Sequence, residues 1–140
     1  MERILDWNKY LDTAAKMVSE GIVMLKNENN ALPLDADKEV AVFGRIQFHY
    51  YKSGTGSGGM VNVTKVVNIL DGLVDNGIKV NEKLLDTYRK WDKENPFDLG
   101  EGWGGEPWSQ KEMPLDEGLV KETAKSCETA IVIIGRTAGE

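Results

Sequence analysis

The Gly-rich loop, residues 52–59, is the part of the sequence best suited to binding a ligand. It reads Lys-Ser-Gly-Thr-Gly-Ser-Gly-Gly, so half of its residues lack a Cβ atom. Backbone of this kind adopts positive φ angles and approaches a ligand closely. Its amides, the hydroxyls of Ser53, Thr55 and Ser57, and the ammonium group of Lys52 are all available for polar contacts. We therefore predict a site for a small polar molecule, with a flexible surface loop as the alternative.

The spacing of the glycines does not identify a nucleotide site. Gly54, Gly56 and Gly59 satisfy G-x-G-x-x-G. Nine residues, 45–53, separate them from the preceding apolar run, which is too long for the strand-to-helix turn of a dinucleotide fold. A P-loop is excluded because the chain contains no Gly-Lys-Ser or Gly-Lys-Thr.

A second candidate for ligand contact is the aromatic loop, residues 95–115. It contains three prolines, four glycines and two tryptophans, without helical or strand periodicity. Long loops inside compact domains are usually functional or flexible. Trp103 and Trp108 either stack on the face of a sugar or fix the loop to the core, and both interpretations stay open here.

The third candidate is Glu140, which follows the apolar run 130–135. Parallel α/β sheets place ligands at the carboxyl ends of their strands, so a carboxylate there is suited to catalysis. Considered alone, a glutamate at such a position is more often an ordinary solvated side chain.

The spacing of apolar residues and the positions of capping and turn residues predict the helices and strands that position these residues. Asp6 is a predicted N-cap, and Asn81 is predicted to cap the third helix. Helices are expected over residues 6–26, 64–74, 81–91 and 116–126, and strands over 39–44, 78–80 and 130–135. The two longer strands lack alternation, which predicts burial on both faces. We predict an α/β fold, with a mostly parallel sheet flanked by helices on both faces, in a single domain over 1–140.

Composition restricts the partners. The chain has 140 residues, 41% of them hydrophobic, and a net charge of −6, which argues against a nucleic-acid surface. No apolar run is long enough to span a membrane and the first residues do not resemble a secretory signal, so we expect a cytoplasmic protein. Cys127 is interpreted as a small buried residue, and the single histidine, His49, has no partners at zinc-ligand spacing. No metal or cofactor is expected.

Several strings, in the right order, resemble a known family. Residues 19–28 read SEGIVMLKNE, 31–34 read ALPL and 40–44 read VAVFG; the Gly-rich loop and residues 131–140 follow. Together they resemble the α/β sandwich, or C-terminal-type, domain of family 3 glycoside hydrolases. The closest resemblance is to bacterial β-glucosidases in which this domain precedes the barrel. Because the family's sandwich domain is longer, the chain is expected to be a truncated, N-terminal portion of it.

The resemblance implies a retaining mechanism and assigns roles to the candidates. The nucleophile would be an aspartate of a (β/α)8-type barrel that this chain lacks, and Glu140 would be the acid/base residue. Ser57, preferred over Ser53 and Thr55, would contact the glucose or aglycone, and Lys52 belongs to the same loop. Trp103 and Trp108 would lie on the leaving-group side. The implied substrate is a β-glucoside or oligosaccharide, and the barrel is the implied partner domain.

Alternatives of a different class stay open. A stand-alone binding module would use the Gly-rich loop for a small polar ligand, and an assembly module would keep the fold without catalysis. An uncovered last strand is consistent with self-association into a homo-oligomer. The resemblance implies that sugar specificity is set mainly by the barrel. We expect this polypeptide alone not to hydrolyse glycosides.

Overall fold

In a computed structural model, residues 5–51, 62–63, 65–102 and 104–137 are described. The chain divides into two compact units, 1–34 and 35–140. Among the described helices, none combines the length and apolar character that crossing a bilayer requires.

The first unit contains helix α1, Trp7–Gly21. The Asp6 carboxylate accepts a hydrogen bond from the Lys9 amide at 3.1 Å, which confirms the predicted N-cap. The predicted end at residue 26 is wrong, because the chain turns extended at Ile22. Gly21 is a weak helix former, and the β-branched Ile22 and Val23 lower helix propensity further. None of the residues of α1 is buried, and Leu11 and Val18 of its apolar stripe are exposed.

The second unit is built on a three-stranded parallel sheet. Its strands are β1 (Glu39–Phe43), β2 (Lys79–Val80) and β3 (Thr129–Val132), in the order β2-β1-β3. Helix α2 (Ile69–Asp75) connects β1 to β2, and α3 (Glu82–Glu94) and α4 (Glu117–Ser126) connect β2 to β3. A short 3-10 turn, Arg45–Gln47, follows β1 directly. The predicted α/β architecture is confirmed.

Polar caps fix where the helices of this unit begin. Asn81 caps α3 by accepting from the Leu84 amide at 3.0 Å, as predicted. Helix α2 begins later than predicted because Asn68 caps it, with the Asp71 amide 2.7 Å from its side-chain oxygen. These oxygens satisfy amides that lack a partner in the first turn, so they decide the first helical residue.

The core surrounds β1. Residues 40–43 are all buried, which requires cover on both faces of the strand. Ala41 and Phe43 share one face and pack against Leu84, Tyr88, Met113 and Cys127. The predicted burial of Cys127 is therefore confirmed.

Strand β3 is less covered than predicted. It pairs with β1 on one side, and Val132 is exposed. The expectation that both long strands are buried on both faces thus holds for β1 and is wrong for β3. Within the described sheet, β3 is an edge strand, and an apolar sequence does not by itself provide a covering layer.

Candidate functional site

Most of the predicted site residues lie outside the described part of the chain. These are Lys52, Ser53, Thr55, Ser57, Trp103 and Glu140. The structure describes Trp108 and the two segments that lead to the others, 45–51 and 133–137. The site is therefore built here from what positions these residues.

Two glycines bring the segments after β1 and β3 side by side. The strands are parallel, so both segments leave from the carboxyl edge of the sheet. Gly44 has φ +109°, and a Cβ there would overlap the carbonyl oxygen of Ile133. The Ile133 amide donates to the Phe43 carbonyl at 2.8 Å. Only glycine therefore fits at position 44, and a Cβ on Gly135 would meet the side chain of Ile46, which would have to shift.

Arg45, the first residue after Gly44, ties the aromatic loop to the end of β1. It is 1% exposed. Its guanidinium donates to the carbonyls of Asn95 at 2.7 Å and Lys111 at 2.9 Å, which lie near the two ends of that loop. It also lies 4.9 Å from the ring centroid of Trp91, close enough for a cation–π contact. One side chain therefore closes the base of the loop.

Glu112 and Tyr88 hold the backbone of Gly44 and Arg45, which we call the β1 corner. The Glu112 carboxylate accepts from the Arg45 amide at 3.0 Å and from the Met113 amide at 2.8 Å. The Tyr88 hydroxyl oxygen accepts from the Gly44 amide at 3.0 Å. Burial raises the pKa of Tyr88, the Gly44 amide opposes this, and the nearby Glu112 carboxylate raises it further. The hydroxyl thus stays protonated at neutral pH.

Asp92 links Arg45 to the segment that enters the Gly-rich loop. One of its oxygens lies 2.7 Å from the Arg45 guanidinium and the other 2.7 Å from Nε2 of His49. The His49 ring also lies 4.7 Å from that of Phe97, a residue of the aromatic loop. His49 precedes Lys52 by three residues, so the described chain is held in place shortly before the loop begins. Within the described residues, no three histidine, cysteine or acidic side chains are grouped as metal ligands.

The aromatic loop is cross-linked rather than open. Gln110 donates to the Asp98 carbonyl at 2.7 Å and accepts from the Asp98 amide at 2.9 Å. Lys111 reaches the side-chain oxygen of Asn95 at 2.7 Å. These bonds join the two limbs of the loop, as in a compact Ω-loop.

Trp108 presents its indole to solvent, where 76% of the residue is exposed. The interpretation that its indole fixes the loop to the core is therefore wrong. The backbone makes the attachment: the Trp108 carbonyl accepts from the Thr137 amide at 3.0 Å, and the Pro107 carbonyl accepts from the Thr137 hydroxyl at 3.1 Å. Thr137 is 5% exposed and precedes Glu140 by three residues.

A cleft of about 340 Å³ lies at this edge of the sheet. The side chains that line it include Tyr88, Glu112, Leu115, Ile134 and Arg136. Apolar walls with charged groups suit a ligand that is part apolar and part polar. The described residues supply this surface and its support, while the predicted acid and the predicted loop hydroxyls lie outside them.

The supporting residues Arg45, Asp92, Glu112 and Thr137 were not predicted as part of the site. Their partners are far away in sequence: Arg45 and Asp92 are 47 positions apart, and Arg45 and Glu112 are 67 positions apart. One local signal existed, since a charged residue directly after a buried strand lies where α/β folds bind ligands. No local signal marked the contacts of Thr137.

Comparison with known proteins gives consistent matches. Residues 22–140 match the family model described as the glycosyl hydrolase family 3 C-terminal domain. A β-glucosidase of Ruminococcus albus is 62% identical over 136 residues, and β-glucosidase A of Butyrivibrio fibrisolvens is 33% identical over 141. The matches cover 97% and 99% of this chain, which spans 14% and 16% of the two relatives.

Solved structures agree with the sequence matches. A β-glucosidase from Paenibacillus barengoltzii superposes with a TM-score of 0.86 and 54% identity, covering 99% of this chain and 15% of that one. β-Glucosidase 3B from Thermotoga neapolitana in complex with glucose superposes with a TM-score of 0.80 and 30% identity, covering 96% and 19%.

Proposed function

Because this chain belongs to the glycosyl hydrolase family 3 C-terminal domain family, we propose that it is part of a β-glucosidase and supplies the acid/base side of its active site. The observation that carries the proposal is the 62% identity to the Ruminococcus albus β-glucosidase over 97% of the chain. The proposed substrate is a β-glucoside, and the proposed partner is a barrel domain of the same polypeptide.

In the proposed retaining reaction, a barrel carboxylate attacks the anomeric carbon and Glu140 gives its proton to the departing glycosidic oxygen. Glu140 then takes a proton from the water that hydrolyses the glycosyl–enzyme. The two carboxyl groups of such a pair lie about 5–5.5 Å apart. Glu140 must therefore be protonated when the substrate binds, and its direction of approach must be fixed.

The geometry at the carboxyl edge of the sheet supports these roles. Asp92 and His49 hold the chain shortly before Lys52, and Thr137 holds it shortly before Glu140. Both anchors connect to the aromatic loop. The described chain is thus held by connected contacts shortly before Lys52 and shortly before Glu140.

The exposure of Trp108 supports its proposed role in binding the aglycone. Its indole is exposed, while its carbonyl is bonded to the Thr137 amide. An exposed aromatic face packs well against the C–H groups of a sugar ring or an aryl aglycone. We propose the same leaving-group side for Trp103, and contacts from Ser57, with Ser53, Thr55 and Lys52 nearby, to glucose or aglycone.

The decisive experiment replaces Glu140 in the longer protein that contains this segment. Glu140→Gln should lower kcat/KM for an alkyl β-glucoside about 10²–10⁴-fold, the usual contribution of general acid catalysis. The loss for a 2,4-dinitrophenyl glucoside should be much smaller, because that leaving group departs without a proton. Glu128→Gln is the matched control, since Glu128 is exposed at the opposite end of β3.

Equal losses for both substrates, or none, would reject Glu140 as the acid. The stereochemistry is tested with Glu140→Ala, the activated substrate and azide. A β-glucosyl azide supports double displacement with retention, whereas an α-glucosyl azide would contradict it.

A further inference from the structure

We propose that Thr137 is a positioning residue whose two hydrogen bonds to the aromatic loop set the direction in which the chain reaches Glu140. The inference rests on the proposed function, because it takes Glu140 as the acid. It concerns a different residue, which has no part in the chemistry itself.

In the described part of the segment after β3, residues 133–137, few other contacts hold the backbone. Strand β3 ends at Val132, and Ile133 makes a backbone bond to Phe43. Beyond it, Gly135 packs against the Ile46 side chain and Thr137 bonds to the aromatic loop. Residues outside regular structure are positioned by such individual contacts. Three residues of extended chain reach about 11 Å, so fixing Thr137 restricts where Glu140 can lie.

The hydroxyl of Thr137 is the part of this anchor that depends on residue type. Any residue except proline can supply the amide that donates to the Trp108 carbonyl, but Oγ1 alone reaches the Pro107 carbonyl at 3.1 Å. Thr137 is buried, so water does not readily replace that bond. The β-branched side chain also has few χ1 rotamers to lose, which favours one orientation.

The acceptor side of the anchor is itself held in place. Gln110 joins the two limbs of the aromatic loop through Asp98, and the Arg45 guanidinium binds the Lys111 carbonyl. Pro107, which supplies the acceptor, has a fixed φ angle. Because the aromatic loop is bonded to Arg45, the bonds from Thr137 to this loop fix the segment after β3 relative to the β1 corner.

Loss of the hydroxyl should impair the step that needs the acid more than substrate binding. A proton donor must come within about 2.6–3.2 Å of the oxygen it protonates, and small displacements reduce the rate strongly. For a substrate whose leaving group needs no proton, kcat/KM should not change when the hydroxyl is lost. A purely structural role would instead lower the activity on all substrates together.

The test compares Thr137→Val with Thr123→Val in the longer protein. Both replace a buried threonine by an isostere without the hydroxyl; Thr123 donates to the Leu119 carbonyl at 2.9 Å inside α4. Thr137→Val should lower kcat/KM for the alkyl β-glucoside roughly 3- to 10-fold, the value of one hydrogen bond. It should leave kcat/KM for the 2,4-dinitrophenyl glucoside within about twofold. Thr137→Ser should restore the wild-type ratio of kcat/KM between the two substrates, and Thr123→Val should leave that ratio unchanged.

Equal losses on both substrates, no loss, or failure of Thr137→Ser to restore the ratio would overturn the positioning role. If valine cannot be accommodated against the Pro107 carbonyl, Thr137→Ala removes the same hydroxyl without adding a methyl group. Glu140→Gln is measured in parallel. If that variant shows no dependence on the leaving group, the proposed function has failed; if it does and Thr137→Val does not, only this inference has failed.

Discussion

Two six-residue segments of this chain share a sequence pattern and differ in their surroundings. Residues 40–45 read Val-Ala-Val-Phe-Gly-Arg, and residues 131–136 read Ile-Val-Ile-Ile-Gly-Arg. Phe43 is 9% exposed and the matching Ile134 is 82% exposed. Arg45 is buried with its partners, whereas Arg136 is exposed. The pattern predicts a strand in both places, but the burial of each depends on what lies beside it.

Pairing explains part of the difference. The shared pattern matches Val40 with Ile131, yet the sheet pairs Val42 with Ile131. The second segment is therefore displaced by two residues beyond the carboxyl edge. Strand β1 also has a neighbour on each side, while β3 has one within the described sheet. Displacement carries Arg136 and Thr137 outward, toward the aromatic loop.

The strongest test of this comparison replaces the matching apolar residues. Phe43→Ala should lower the free energy of unfolding by about 3–5 kcal/mol, because it opens a cavity in the core. Ile134→Ala should change it by less than about 0.5 kcal/mol, as at other exposed positions. Urea unfolding of the chain, followed by circular dichroism, measures both.

If the two variants lowered the free energy of unfolding equally, the second segment would be as buried as the first. Repeating Ile134→Ala in the longer protein proposed above sharpens the comparison. A much larger loss there would mean that residues outside this chain cover β3.

The next largest contrast is expected between the two arginines. Arg45→Met should lower the free energy of unfolding by about 2–3 kcal/mol, since it leaves the carbonyls of Asn95 and Lys111 without their donor. The loss stays below that of an isolated buried ion pair because Asp92 keeps His49 as a partner. Arg136→Met should change stability by less than about 0.5 kcal/mol.

Methionine retains most of the apolar length of arginine in both variants, so the charged group is what differs. The same urea titration measures the free energy of unfolding of both variants. If Arg136→Met lowers it as much as Arg45→Met does, the guanidinium of Arg136 also makes stabilising contacts, and the contrast between the two segments would be wrong.

Local signals in the sequence predicted much of the fold. Asp6 and Asn81 stand at helix starts because their side chains satisfy free amides, and this depends only on nearby residues. The order of helices and strands followed from periodicity in the same way. The start of α2 was wrong because the cap at Asn68 was overlooked.

The support of the site could not be predicted, because it depends on contacts distant in sequence. Arg45 finds its partners in α3 and in the aromatic loop, and Thr137 finds its partners 29 and 30 residues earlier. A propensity describes one residue and its neighbours, whereas these bonds require the sheet to be assembled first. The resemblance to a family assigns the acid to Glu140 and ligand contacts to the Gly-rich loop, and both assignments stay predictions. It does not indicate what holds these residues.

The smallest expected effect concerns the hydroxyl that holds the glycine of the first segment. Tyr88→Phe removes the acceptor for the Gly44 amide and should cost about 1 kcal/mol at neutral pH. Burial raises the pKa of Tyr88 above its ordinary value of 10.0, so above that pH the unfolded chain releases a proton that the folded chain keeps. The contribution of Tyr88 to stability is therefore complete below pH 10.0 and declines as the pH rises toward the folded-state pKa.

Phenylalanine has no proton to release, so the stability difference between the wild type and Tyr88→Phe should narrow as the pH rises past about 10. Urea titrations at neutral and alkaline pH measure this difference, and Tyr10→Phe, at an exposed position, controls for the loss of a tyrosine hydroxyl. A difference that stays constant with pH would mean that the hydroxyl is open to water in solution. The contrast between the two segments would then rest on Phe43 and Arg45 alone.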